Sequence, residues 1–520
     1  MKVQVIVIGL LLALVLGVPF VLSAGKTGSS HDADLRTLIV VTPHVPQIRD
    51  EFARGFADWH AREFNEEVSI DFRTPGGTSE IRKQLAAMFK ESVKKLASEP
   101  NWEIGAGGLL PEGTIPFDVM FGGGSYDHGQ LISGVSVDVP LSGGESTTAK
   151  MTLEVPISRP MDFTQGELDA MFGENRIGPQ ELYDPDQYWI GNALSSFGIV
   201  YNRDVFEKLE LPEPTAFVDL TQPALWGWIA LADPRQSGSI TTTFDSILGN
   251  EGWEQGWRTL RGMCGNTRYF TNSSTKPPID VSQGEAAAGL AIDFYGRGQA
   301  QVVKDSGGGD RVGYSDPAGA VYVDADPISI INGGPDYELA TRFVRYLMTD
   351  EAQALWQFDT SLDDNPIGSD GEPMGPHWHA LRRMPVKRSM YVQYFDQFVD
   401  QVDPFEIVSD VKNPGWRTGV QVMMGCFGID IANECRAAYR AMHDAIASGE
   451  FSEAELAELD ELFYAFPDTQ IEGELVPFTA DTFRTVRNEW RTRQAELEIE
   501  YTKFYRGNYN EIVKRVRERL

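Results

Sequence analysis

Leu38-Ile-Val-Val-Thr-Pro-His44 is the stretch from which the fold is read. An apolar, mostly β-branched run ends at a proline, and Ile48, Phe52, Phe56 and Trp59 then recur at helical spacing. The order repeats at once. Val68-Ser-Ile-Asp-Phe72 alternates like a strand, Thr74-Pro-Gly-Gly-Thr-Ser79 breaks it, and Ile81, Leu85, Met88 and Phe89 resume a helix. Strand, turn and helix in succession, twice, predict a parallel sheet and an α/β fold. In such sheets the strand C-termini and helix N-termini open onto one crevice, where ligands bind.

The turns therefore hold the first candidate site residues. Gly77, Thr78 and Ser79 bare backbone N–H groups at a helix start, which suits an anion or a plain N-cap. Phe117 to Phe121 reads as a third strand, and Gly123, Gly124 and Ser125 follow it, where backbone can approach a ligand. The pattern recurs further on. Gly191 to Asn202 reads as extended and carries Ser195 and Ser196; Leu225 to Pro234 reads as buried strand, followed by Ser237, Gly238 and Ser239.

Gly284-Glu-Ala-Ala-Ala-Gly-Leu-Ala-Ile-Asp-Phe-Tyr295 reads as a short helix breaking into a buried strand. It delivers Asp293 and Tyr295 at its end, and Gly296-Arg-Gly298 is expected to turn the chain. Tyr337 to Phe358 predicts one amphipathic helix. Beyond residue 400 the chain is helical and charged, with a solvated face expected for Phe451 to Leu520.

The 76 acidic against 45 basic residues give a formal charge of -31, which disfavours nucleic acid and anionic membrane surfaces. Lys2, the apolar run Val3 to Leu22 and Ser23-Ala24 form an export signal, cleaved near residue 24 or retained as an anchor. Cys264, Cys426 and Cys435 are too few for a disulfide framework; one bridge, Cys426 to Cys435, or three buried thiols are the alternatives. No catalytic motif stands out, and His377-Trp-His379 lies in a Pro/Gly-rich loop, so no enzyme activity is expected.

The order of these marks resembles the periplasmic substrate-binding proteins of ABC transporters, in the two-lobed, double-crossover (type II) class, and within it the ferric-ion-binding branch. The marks are Gly76-Gly-Thr-Ser-Glu80, Phe121-Gly-Gly-Gly124, Ser196-Phe-Gly-Ile-Val-Tyr-Asn202, Trp226 to Pro234 with Ser237-Gly-Ser239, Gly284-Glu285, Asp326-Pro327-Ile328 and Pro385-Val386. The resemblance implies lobe I from 35–135 and 315–400, lobe II from 190–312, and a helical C-terminal extension, 401–520. It implies a monomer, exported to the periplasm, that captures a solute by lobe closure and docks to an inner-membrane ABC permease. No cofactor is expected, with Fe(III) entering only as transported cargo. For iron, the family pattern carries over to His44, Glu80 and Tyr295, with Phe294 standing where a second phenol is expected. A small organic or phosphorylated anion is the other solute class. A membrane-tethered sensory or scaffold protein on the same fold is the alternative reading.

Overall fold

The computed structural model describes residues 35–99, 102, 104–140 and 150–520. The export signal at 1–24 and the turn-rich break expected at 143–148 lie outside the described residues.

Lobe I begins with β1 (Arg36–Val41), α1 (Pro46–Phe64), β2 (Val68–Arg73), α2 (Thr78–Ala97), β3 (Val119–Phe121) and α3 (Ser125–Ser133). The first two strands pair in parallel, and β3 joins the other edge of β1. A side excursion follows: β4 (Val135–Pro140) and β5 (Lys150–Val155) form a hairpin, then β6 (Ser158–Arg159) and α4 (Gln165–Phe172). These pieces close the lobe I core rather than forming an irregular linker.

Then comes β7 (Ile190–Asn202), thirteen residues buried throughout and about 40 Å long. Its first half pairs with β12 (Val323–Ile331) in lobe I. Its second half pairs with β10 (Ala288–Ile292) and β11 (Val312–Ser315) in lobe II. The lobe boundary expected at residue 190 thus falls inside this strand. Continuous burial permits that, because both ends need a partner on each side.

Lobe II adds α5 (Arg203–Lys208), β8 (Ile229–Ala232), α6 (Gly238–Glu251), α7 (Trp253–Asn266), β9 (Thr267–Thr271), α8 (Lys276–Ser282) and α9 (Asp293–Val303). The sheet path is β2-β1-β3-β12-β7-β10-β8-β9. Its order reverses between β1 and β3, so the loops after those strands border the crevice. The Gly296-Arg-Gly298 turn does not occur. Those residues lie inside α9, where a Cβ on Gly296 would fall 2.3 Å from the Tyr314 ring. Gly296 serves close packing.

The chain returns through 316–322 to β12, then α10 (Tyr337–Leu347) and α11 (Asp350–Gln357). The single helix expected over 337–358 is two, because Thr349 ends one turn and caps the next by accepting from Ala352 N–H. β13 (Met384–Pro385) pairs with β7. The chain then crosses back to lobe II, where α12 (Arg417–Met424), α13 (Ala432–Ser448), α14 (Glu453–Tyr464) and α15 (Phe483–Arg519) pack.

The extension is not a solvated appendage. Val420, Phe427, Tyr439, Tyr505 and Tyr509 share one apolar cluster with Phe244, Trp257 and Leu260 of lobe II. Arg261, fully buried, donates to the carbonyls of Phe463 (2.6 Å) and Ala465 (2.9 Å). Its guanidinium lies 4.5–5.0 Å from the rings of Phe427, Phe466 and Tyr505. All three cysteines are free and buried, so the thiol alternative holds.

Candidate functional site

β1 ends at Val41, and Thr42 hydroxyl donates to Phe121 carbonyl at 2.6 Å, tying the β1 loop to the β3 loop. His44 N–H donates to Thr42 Oγ1 at 3.1 Å. The imidazole is thereby buried, edge-on to Phe121. Gly122 must be glycine: its φ is +94°, and a Cβ would lie 2.4 Å from His44 Nε2.

Arg383, 3% exposed, is the centre of the arrangement. It forms an ion pair with Asp326 and donates to Ser195 Oγ at 2.6 Å and to His44 Nε2 at 3.1 Å. His44 Nε2 also lies 3.2 Å from Asp326 Oδ2, so it accepts from Arg383 as the Nδ1–H tautomer or donates to Asp326 as the Nε2–H tautomer. Burial lowers the His44 pKa and keeps the ring neutral. Burial is the largest influence on the Asp326 carboxyl and alone would raise it, but Arg383, His44 and the Gly123 N–H together outweigh it and the net shift is downward. The second Asp326 oxygen accepts from Gly123 N–H at 2.7 Å. Asp324 Oδ2 likewise accepts from Ser125 N–H at 3.2 Å, and burial pushes its carboxyl up to about 6. The N–H groups after β3 thus hold carboxylates from β12.

Lobe II faces this cluster with the start of α9. The Phe294 ring lies 4.3 Å from the Arg383 guanidinium, and the Tyr295 ring is 4.1 Å from Phe294. Burial raises the Tyr295 phenol, so it stays protonated. Asp293 is fully buried, neither carboxyl oxygen has a hydrogen-bond partner, and burial pushes it up to about 7. His44 Nδ1, Arg383 Nε and Asp324 Oδ1 also lack partners. Unfilled donors and acceptors therefore cluster near the meeting of the lobes.

Not every expected residue joins this centre. Thr78 packs on Gly123, where a Cβ would lie 2.7 Å from its Cγ2, and Gly124 adjoins Asp324. Gly77 precedes α2 as an N-cap without a side-chain bond, and Ser79 lies in the first turn. Glu80 is exposed on that turn, and no hydrogen bond or ion pair joins it to His44 or Tyr295. Ser196 donates to Asp316 at 2.5 Å, in the return connection. Ser237 caps α6 and contacts Ser239 at 3.2 Å, while Gly238 carbonyl accepts from Arg417 at 3.0 Å. Arg417 comes from the extension and lies 5.7 Å from the exposed ring of Tyr126 on lobe I, which Arg82 covers at 5.6 Å. His377-Trp-His379 is a structural loop: its three backbone N–H groups donate to buried Glu51. Among the described residues no three His, Cys, Asp or Glu side chains are grouped to hold a metal ion.

Sequence reasoning missed Arg383, Asp324, Asp326 and Arg417 as site residues. Asp326-Pro327 and Pro385-Val386 were visible as motifs, and their polar neighbours were the available signal.

Residues 163–374 match the model of the bacterial extracellular solute-binding protein family. The match covers 212 of the 520 residues and is to the broad class that the motif order resembles. The matched solute-binding segment spans β7, all of lobe II's sheet and the return through β12. Among curated proteins, the phosphoglycerate transport regulatory protein PgtC of Salmonella typhimurium is 30% identical over 103 residues, 20% of this chain and 26% of that protein. An uncharacterized protein of Haemophilus influenzae is 25% identical over 172 residues, 33% of this chain and 47% of that protein. The chain thus spans between a quarter and a half of these relatives. Among solved structures, iron-bound HitA from Pseudomonas aeruginosa is 15% identical with a TM-score of 0.48, covering 74% of this chain and 98% of that one. AfuA from Actinobacillus pleuropneumoniae with fructose-6-phosphate bound is 16% identical with a TM-score of 0.42, covering 62% and 81%. Among the described residues no helix is long and apolar enough to cross a membrane.

Proposed function

We propose that the protein is the solute-capturing component of an ABC import system, working in the periplasm as a monomer. Its solute is a small hydroxylated organic anion, of the phosphate-ester or carboxylate class, held between the lobes. The observation that carries this reading is Arg383: a buried guanidinium with Nε unfilled, stacked on Phe294 of the facing lobe. Guanidinium groups recognise phosphate and carboxylate through paired donors. Asp293, Asp324 and the Tyr295 hydroxyl supply partners for a solute's hydroxyl groups. His44 Nδ1, Thr78, Ser79, Gly124 and Ser125 line the lobe I side; Ser195 positions Arg383. The similarity to PgtC, a phosphoglycerate transport regulatory protein, agrees in solute class.

Closure follows from the division of partners. Lobe I supplies Arg383 for the anion and Asp324 for a hydroxyl, and lobe II supplies Asp293 and Tyr295, so only the closed state makes both sets of contacts. The permease then reads the closed state. Ferric iron is the second cargo, with His44, Tyr295 and Glu80 as its ligands. The Arg383 cation bonded to His44 Nε2 and the raised Tyr295 phenol favour the organic anion over it.

Native mass spectrometry and metal analysis of protein purified from its own cells test the choice. An organic anion released on denaturation, with weaker calorimetric binding of that compound by Tyr295→Phe, is expected. Stoichiometric iron in a reddish sample would replace this reading with the ferric one. Empty protein with a retained N-terminal segment would favour a tethered scaffold.

A further inference from the structure

Behind the cleft, a second cavity of about 490 Å³ opens between α9 and β11 of lobe II and the loops around 382 and 400 of lobe I. Its lining includes four cations, Arg203, Arg297, Lys304 and Arg382, and two carboxylates, Asp310 and Asp400; outside the lining, Glu213 pairs with Arg203 and Asp316 with Arg297. Asp310 is exposed to solvent, so it cancels little of that charge. Asp400 is already shared: Arg382 grips it at 2.6 and 3.0 Å, and Arg297 approaches at 3.2 Å. Lys304 has no ion-pair partner among the described residues and projects from the end of α9. Arg297 is 4% exposed, and its Nε has no partner at all. Arg382 is held at φ +52°, a left-handed conformation that a non-glycine residue adopts at a cost. That turn aims Arg382 into this cavity while Arg383 points to His44.

The geometry points to a second ligand site here, distinct from the solute cleft, that takes a phosphate-bearing anion. Lys304, the lining cation without an ion-pair partner among the described residues, supplies the attraction, and Arg297 Nε supplies a further unspent donor. The volume exceeds that of a lone oxyanion and falls in the range of small-molecule pockets. The walls come from both lobes: Arg382 of lobe I already donates to Arg297 carbonyl of lobe II at 3.1 Å. An occupant therefore bridges the lobes and favours the arrangement seen here. By linkage, it raises affinity in the solute cleft and is itself bound tighter when that cleft is filled.

Isothermal titration with inorganic phosphate and, separately, glycerol phosphate tests the site at fixed ionic strength, with chloride as control. The proteins are wild type, Lys304→Gln, Arg203→Gln/Lys304→Gln, and Arg383→Gln, which disables the anchor of the other cleft and is titrated at a pH and temperature where circular dichroism shows it folded. Saturable phosphate binding that survives Arg383→Gln and weakens by about tenfold or more in Arg203→Gln/Lys304→Gln is expected, since each charged hydrogen bond is worth a large fraction of that factor. Lys304 is exposed, so the single variant folds and should show a smaller loss of the same sign. Tighter binding of the ester than of inorganic phosphate identifies an organic occupant; equal binding identifies the free ion. No saturable binding, or binding matched by chloride, overturns the site. So does binding lost in Arg383→Gln but kept in the double variant, which would put the anion in the solute cleft.

Discussion

Replacing Arg383 by glutamine should destabilise the protein in a way that replacing Asp326 as well repairs. The two side chains are 3% and 2% exposed and paired. At about 3 Å and an effective dielectric of about 20, unit charges attract by roughly 5 kcal/mol. Breaking a buried pair from one side costs about 3–5 kcal/mol, because the remaining charge has lost its counterion. In Arg383→Gln, Asp326 keeps the Gly123 N–H and the His44 ring but no cation. Its pKa should rise above the unfolded value. A carboxyl raised in the folded state binds more protons than in the unfolded one, so stability falls as pH rises through that window. The loss should therefore be larger at pH 8 than at pH 5. Arg383→Gln/Asp326→Asn removes both charges and should recover most of the loss.

Urea denaturation of solute-free protein at the two pH values reads these changes, and calorimetry with the released solute reads function. The double variant should be stable and still bind poorly, because it lacks the guanidinium. Three results would refute the reasoning: a single-variant loss under about 1 kcal/mol, a loss independent of pH, or a double variant as unstable as the single. A stable double variant that binds solute with full affinity would remove Arg383 as the anchor.

Three further outcomes are expected. Asp293→Asn should stabilise the solute-free protein at pH 8 and have little effect at pH 4: a rise from 3.8 to about 7 costs on the order of 4 kcal/mol once the group is ionised, and denaturation across that range reads the slope. Arg261→Met should loosen the extension, because the carbonyls of Phe463 and Ala465 lose their donor; limited proteolysis should then cleave between 450 and 482 at rates well above wild type. Arg417→Ala should speed solute release about two- to fivefold in stopped-flow experiments, the equivalent of one exposed cation–π contact across the cleft mouth, with unchanged stability.

Much of lobe I is legible in the sequence because its strands and helices are local and strongly periodic. Leu38 to Trp59 and Val68 to Phe89 fold as read, and the glycines after β3 do stand at a crevice. The charged centre is not legible in the same way. His44 and Arg383 are 339 positions apart, and nothing in either neighbourhood announces the other. The Gly-Arg-Gly stretch at 296–298 misleads for a tertiary reason: packing against Tyr314 uses the small residue without a turn. In α15 the charges drew the eye outward. Tyr501, Tyr505 and Tyr509 recur every fourth residue and continue into Ile512 and Val516, and that stripe forms the buried face.

On the proposed function, the adjacent arginines 382 and 383 would link closure to binding. Both are rooted in lobe I, beside β13 on the first half of β7. Each reaches lobe II, one to Arg297 carbonyl and Gln301, the other to Phe294. The left-handed turn at Arg382 is what lets neighbouring side chains face opposite ways, and it costs about 1–3 kcal/mol that the contacts must offset. Those contacts exist only while α9 lies against this loop. Lobe opening would forfeit them and leave Arg383 with its lobe I partners alone. A solute that engages Arg383 and Asp293 together adds to the same side of the balance, so its binding energy acts directly on the lobe equilibrium. On the proposed lobe closure, the bend is expected at the middle of β7, near Ser195 to Phe197, where pairing passes from β12 to β10. Ser195 holds Arg383 and Ser196 holds Asp316 at that very point, so the hinge and the charged centre are one structure.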